Sequence, residues 1–287
     1  MDLLHEKIRK LRNPSAIALD VKPSMIPAFL LEEEETVPKA YGRFCRELLR
    51  GLHGIVPAVR ICFGAFALLG PEGLLELKQV LELASELEFY VLLDLPEMPG
   101  PLAAERTADM LGDDQWRCDG VVIGSYLGTD ILRPFLKLAK AGKDIFAIAR
   151  TSNKSAPEIQ DLITGGRLVH AAVVDAVSRH GASLLDKCGY SRIAVVAAAG
   201  AADSLRSLRS KYRSTFLLLD GYDYPSGNAK NCSFAFDNLG HGAVACAGDS
   251  VTAAWMLSEA DPRNYMDAAV EAALRMKKNL LRYISVL

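Results

Sequence analysis

The feature of this chain that most restricts its fold is the regular return of short apolar runs. Residues 16–20, 57–61, 89–94, 120–123, 144–150, 192–196, 215–220 and 242–246 are continuous apolar segments rather than alternating ones. That pattern fits parallel strands buried on both faces. Between them lie amphipathic stretches such as 71–87, where Leu74, Leu77, Leu81 and Leu87 share one face, and others at 130–141 and 205–212. The runs end about every 32 residues on average, the length of one strand–helix unit. Eight such units predict an α/β chain folded as a (β/α)8 TIM barrel, a single domain over 1–287. The barrel proper is expected over about 14–258, with a flanking helix at 1–13 and a C-terminal helix over about 262–285. A doubly wound open sheet would ask for a Gly-rich phosphate turn after an early strand. Gly240-His241-Gly242 instead precedes one.

Charge and composition narrow the partners. Lys and Arg total 33 against 35 Asp and Glu, a net charge of -2, which lacks the basic face a nucleic-acid binder needs. Half the residues are hydrophobic, which excludes intrinsic disorder. The longest apolar run, 193–202, is too short to span a bilayer, and 1–13 lacks the apolar centre of a signal peptide. The expectation is a cytoplasmic protein with no membrane partner. Six cysteines without a C-x-x-C pair read as reduced core thiols, and neither a metal site nor a cofactor is expected. Two intervals run long: one holds the acidic run 32–35, read as solvated, and the other, 155–189, has room for two helices.

Barrel active sites gather at the C-terminal ends of the strands. Those ends supply Asp20, Arg60, Asp94, Ser125, Thr151-Ser152-Asn153, Asp220, Asp223 and Asp249. A strand-end carboxylate can equally cap the next helix, so the functional case rests on convergence rather than on any one Asp. His5, His53, His170, His180 and His241 are dispersed over helices and loops, and none pairs with a Ser or Cys nucleophile at a strand end. They are read as solvated or capping.

Several stretches match a known pattern in order and spacing. They are Ala18-Leu19-Asp20-Val21-Lys22-Pro23, Val56-Pro57-Ala58-Val59-Arg60, Gly70-Pro71-Glu72-Gly73 and Val91-Leu92-Leu93-Asp94. Further on come Tyr126-Leu127-Gly128-Thr129-Asp130 with Pro134-Phe135, and Arg150-Thr151-Ser152-Asn153. Over roughly residues 10–258 the sequence resembles the orotidine 5'-phosphate decarboxylases of the longer bacterial type. The resemblance implies a lyase of pyrimidine nucleotide biosynthesis. It also implies a homodimer whose partner chain lies near residues 96–104.

The family's signature on the third strand is D-x-K-x-x-D, whose Lys protonates the substrate as carbon dioxide leaves. Here the segment reads Asp94-Leu95-Pro96-Glu97-Met98-Pro99, so Pro96 and Pro99 replace the Lys and the second Asp. Proline carries no ionisable group. Arg60 matches the lysine of strand 2 and keeps its charge, but guanidinium is a poor proton donor. Asp94 and Arg60 are therefore residual catalytic candidates. In the turn from Asp220 and Gly221 to Gly227, Pro225 stands where relatives carry the phosphate-binding Gln, and Asp249 stands where they carry an Arg. Two like charges about 4 Å apart repel by about 4 kcal/mol at an effective dielectric of about 20. Asp20 matches the residue that holds ribose hydroxyls, and Ser152 and Asn153 match pyrimidine contacts, although a Thr-Ser-Asn turn can also persist for structural reasons. Asp20, Ser152, Asn153, Gly221 and Asp249 are thus the ligand-binding candidates, for a small molecule of nucleoside-like form.

Three readings stay open. The leading one is a family member that has lost catalysis and binds something else or acts structurally. A second is a divergent, working decarboxylase that recruits Lys22 or Lys154 as proton donor. The third is a metal-dependent enzyme whose acidic mouth (Asp94, Glu97, Asp220, Asp223, Asp249) would suit a hard cation such as Mg²⁺.

Overall fold

The eight apolar runs close on one another. The computed structural model describes residues 1–113, 115–258 and 261–287. Its strands are β1 (Ser15–Leu19), β2 (Ala58–Cys62), β3 (Tyr90–Asp94), β4 (Gly120–Ile123), β5 (Asp144–Ile148), β6 (Ile193–Ala198), β7 (Leu217–Asp220) and β8 (Ala243–Ala247). All eight pair in parallel in chain order, and β1 returns to β8 to close the barrel. Each predicted run falls on a strand. The (β/α)8 expectation is correct.

The period-2 alternation of each strand divides the core into two layers. Ile17, Val59, Val91, Leu93, Val121 and Ile145 face outward and join the helices in one large buried cluster. Ala16, Ala58, Tyr90, Leu92, Val122, Phe146, Phe216 and Leu218 face inward and fill the barrel. Small residues on β1 and β2 make room for Tyr90, Phe146 and Phe216, and the last two meet edge to face with centroids 6.4 Å apart.

The helix Asp2–Leu11 closes the lower end of this interior with Leu4 and Ile8. There the Tyr90 hydroxyl donates to Asp144 Oδ2 at 2.6 Å. Burial pushes the Asp144 carboxyl up, while the Met1 ammonium, Tyr90 and Arg192 act against that rise. The predicted C-terminal helix spans Tyr265–Leu280 and lies against Val37–Leu52, where Tyr265 stacks on Phe44 at 5.0 Å. Among the described residues no helix is long and apolar enough to cross a membrane.

Two segments depart from the expectation. Residues 155–189 hold one full helix, Val169–Gly181, preceded by a short turn of helix at Pro157–Gln160 and a hairpin of Ile163–Thr164 with Arg167–Leu168. Gly165 and Gly166, at φ +55° and +78°, supply the two positive-φ positions of a tight hairpin turn, which ends the helical pattern there. The stretch 130–141 breaks into Thr129–Leu132, a 3-10 turn at Arg133–Phe135, and Leu136–Lys140. Pro134 lacks the N–H that a continuous helix would need.

Tyr90→Phe removes a buried donor from a buried carboxylate. It should lower stability by about 1–3 kcal/mol in urea unfolding, whereas an unchanged midpoint would show that Asp144 does not depend on Tyr90.

Candidate active site

The alternation that fills the barrel also aims its functional groups. Counting by twos from interior residues leads from Ala58 to Arg60 and Cys62, from Leu92 to Asp94, from Leu218 to Asp220 and from Val244 to Cys246. These side chains, with Asp20 just beyond β1, line a cavity of about 320 Å³ at the C-terminal mouth. Arg60 lies at its centre. Nε and Nη2 reach Asp94 Oδ2 at 2.9 and 2.6 Å, and Nη1 reaches Asp220 Oδ1 at 2.5 Å.

The charges are coupled. Burial opposes the charge on Arg60, but the carboxylates of Asp94 and Asp220 outweigh it and hold the guanidinium above its ordinary range. Burial also pushes the Asp94 carboxyl up; Arg60 pulls it back, and Asp220 and Asp20 add to the rise. Burial lifts Cys246 to about 12 and Cys62 to about 11, so both thiols are inert at neutral pH. Asp20, Asp94, Asp220, Asp223 and Asp249 line the cavity, and Arg60 is the one cation among its described lining residues.

At the rim, Asp223 turns its carboxylate onto the loop that follows β8. Oδ2 accepts from the N–H groups of Gly248 at 2.5 Å and Ser250 at 3.2 Å, and Oδ1 accepts from the Ser250 hydroxyl at 2.5 Å. Donors that could hold an external anion thus face an anion of the chain itself. Asp249 stands exposed beside them. Its carboxyl is raised by burial, lowered by Lys22, and raised further by Asp223 and Asp20. Gly221 follows β7 at φ +78°, and a Cβ there would fall 2.4 Å from Ser152 Oγ, so glycine is required on both counts.

The other candidates lie outside the cavity wall. Ser152 spends its hydroxyl on the Asp220 carbonyl at 2.6 Å, and the exposed Asn153 accepts from Thr151 Oγ1 at 2.5 Å. Lys22, Lys154, Pro96, Pro99 and Pro225 are all exposed. Glu97 folds over Gly124, where a Cβ would sit 2.1 Å from its Oε2, and lines a different hollow with Tyr126 and Gln160. Four of the five acidic residues expected at the mouth therefore converge and Glu97 does not. Among the described residues no three His, Cys, Asp or Glu side chains gather as a metal would require.

One pairing was missed by sequence reasoning. The expectation concerned nucleophiles at strand ends; His170 Nε2 instead lies 3.0 Å from Ser204 Oγ, in the first turn of the helix Ala202–Lys211. The two residues are 34 positions apart and belong to successive strand–helix units, so no local motif announces them.

The comparisons with known proteins agree with the motifs. No family model matches the chain. The orotidine 5'-phosphate decarboxylase of Rhodopirellula baltica is 28% identical over 293 residues, covering 96% of this chain and 97% of that protein. The Clostridium novyi enzyme of the same name is 25% identical, covering 98% of each. A Toxoplasma gondii crystal structure provisionally designated an orotidine-monophosphate decarboxylase superposes with a TM-score of 0.81 at 18% identity, covering 98% of each chain, and this establishes the shared fold.

Arg60→Met would leave Asp94 and Asp220 facing each other without their cation, at a cost on the order of 3 kcal/mol at pH 7. Burial already sets the Asp94 carboxyl above its unfolded value, and loss of Arg60 raises it further. A carboxyl raised in the folded state contributes stability that is fully present below its unfolded value, about 3.9, and is lost as pH rises through the folded one. The deficit of the variant should therefore shrink between pH 7 and pH 5 in urea unfolding. A constant deficit would contradict the coupling.

Proposed function

We propose that this chain, an orotidine 5'-phosphate decarboxylase-type barrel by motif, sequence likeness and fold, has lost the decarboxylation and holds an unphosphorylated, nucleoside-like ligand at its mouth. The observation that carries the reading is the occupation of both ends of the cavity by the chain's own charges. At the inner end Arg60 is committed to Asp94 and Asp220, and among the described lining residues there is no lysine or histidine to deliver a proton. At the outer end Asp223 takes the donors of the loop after β8, and Asp249 adds a second negative charge. A phosphomonoester would have to displace one carboxylate and approach another. A neutral nucleoside avoids both costs and could offer its ribose hydroxyls to Asp20.

The same reading includes a homodimer formed across residues 96–104. Leu102 is 58% exposed there, and Leu127 on the neighbouring loop is 60% exposed. Large apolar side chains beside a mouth are what a partner chain would cover. Leu102→Asp with Leu127→Asp should convert a dimer to a monomer in light scattering, and a wild-type monomer across micromolar concentrations would refute the dimer.

A ligand that binds only the folded form raises the melting temperature. Uridine at millimolar concentration should raise it, while uridine 5'-phosphate should not. In Asp223→Ala/Asp249→Arg, the phosphorylated compound should become the better stabiliser. A wild-type protein stabilised more by uridine 5'-phosphate than by uridine would overturn the reading.

A further inference from the structure

A second cavity, of about 750 Å³, lies away from the barrel mouth among residues that follow β5 and β6. His170 lines it at 3% exposure, at the start of the helix Val169–Gly181. Its Nδ1 is 2.9 Å from the Gln160 carbonyl oxygen and 3.2 Å from Asp161 Oδ1. Both neighbours are acceptors when Asp161 is ionised, so Nδ1 carries the proton. Nε2 is then left with its lone pair, and the Ser204 hydroxyl 3.0 Å away must donate to it. The tautomer that a general base requires is thus set by the surroundings of the ring.

The third member is anchored as well. Arg150 forks onto Asp161, with Nε to Oδ1 at 3.0 Å and Nη2 to Oδ2 at 2.8 Å. The Arg150 hydrogen bond, opposed by burial and assisted by His170, holds the Asp161 carboxyl below its ordinary range. Ser204 lies in the first turn of the helix Ala202–Lys211, which no side chain caps. Ala202 and Asp203 of that turn border the same cavity. The cations on the wall are neutralised in place: Arg150 by Asp161, and Arg167 and Lys211 by Asp175. Leu168, Leu208 and Tyr212 complete a wall suited to an uncharged acyl or alkyl group.

The geometry points to a hydrolytic site, independent of the mouth, in which Ser204, His170 and Asp161 cleave small uncharged carboxylic esters. Ser204 Oγ adds to the ester carbonyl carbon while its proton passes to His170 Nε2. The resulting oxyanion faces the uncapped first-turn N–H groups of the helix. The bond to the alcohol oxygen then breaks, and His170 returns the proton to it. Water adds to the acyl-Ser204 carbonyl as His170 takes up a proton again. The carboxylic acid leaves, Ser204 regains its hydrogen, and ester plus water have become acid plus alcohol with no change in oxidation state. Asp161 and the Gln160 carbonyl hold the ring and stabilise its transient positive charge.

The test uses the full chain with p-nitrophenyl acetate as substrate and a fluorophosphonate as covalent probe. Hydrolysis above background is expected, falling by about 100-fold or more in Ser204→Ala and unchanged in Ser210→Ala, which alters an exposed hydroxyl of the same helix that does not line the cavity. Peptide mapping should place the probe on Ser204 in the wild type, with labelling slowed at least tenfold in His170→Gln. Wild-type labelling needs no variant, so a folding defect in His170→Gln cannot obscure the outcome. Failure of millimolar probe to label Ser204, or an esterase rate that Ser204→Ala leaves intact, would overturn the proposal.

Discussion

The mouth of this barrel depends on one guanidinium. Arg60 extends from β2 to bond Asp94 on β3 and Asp220 on β7, so one side chain ties distant parts of the wall together. Without it the cavity would present five carboxyl groups and no cation among its described lining residues. A buried ion pair adds little net stability over a well-packed apolar substitute, but removing one partner strands the other charges in a poorly solvated place. Arg60 is what permits the acidic mouth to exist. It is also what keeps the Asp94 carboxyl from rising further, since burial and the neighbouring aspartates all push it upward.

The rim shows the same device in a different form. Asp223 supplies a carboxylate to the backbone donors of Gly248 and Ser250, and Gly221 gives the turn the room and the positive φ it needs to bring that side chain there. The resemblance carried by the sequence motifs would place a substrate phosphate near this loop. Here the loop is satisfied from within. Pro96, Pro99 and Pro225 fit that picture because none can donate a proton or bind an anion through its side chain. The eight strands and their inward phase match the fold that the motifs imply, while the charges at the mouth differ from those the resemblance implies.

Much of this was legible in the sequence because strands obey a strict alternation. Once the apolar runs are placed, Arg60, Asp94 and Asp220 must lie on the face that includes Ala58, Leu92 and Leu218, and their convergence follows from barrel closure. What could not be read depends on loop paths. Ser152 and Asn153 belong to a turn whose hydroxyl and amide serve neighbouring groups, and Glu97 folds over Gly124 rather than toward Asp94. The Gly165-Gly166 hairpin carried a local signal, two adjacent glycines between short β-forming residues, which the length of the interval obscured. His170 and Ser204 had no such signal, because only the packing of one strand–helix unit against the next brings them together.

The most direct measurement is the absorbance of orotidine 5'-phosphate incubated with a high concentration of purified, untagged protein. A mouth in which Arg60 is locked between two carboxylates and Asp223 takes the donors of the loop after β8 predicts decay no faster than the no-enzyme control. Decay above that control, abolished in Lys22→Ala/Lys154→Ala, would mean that the proton donor has moved to another strand end and that the barrel still decarboxylates.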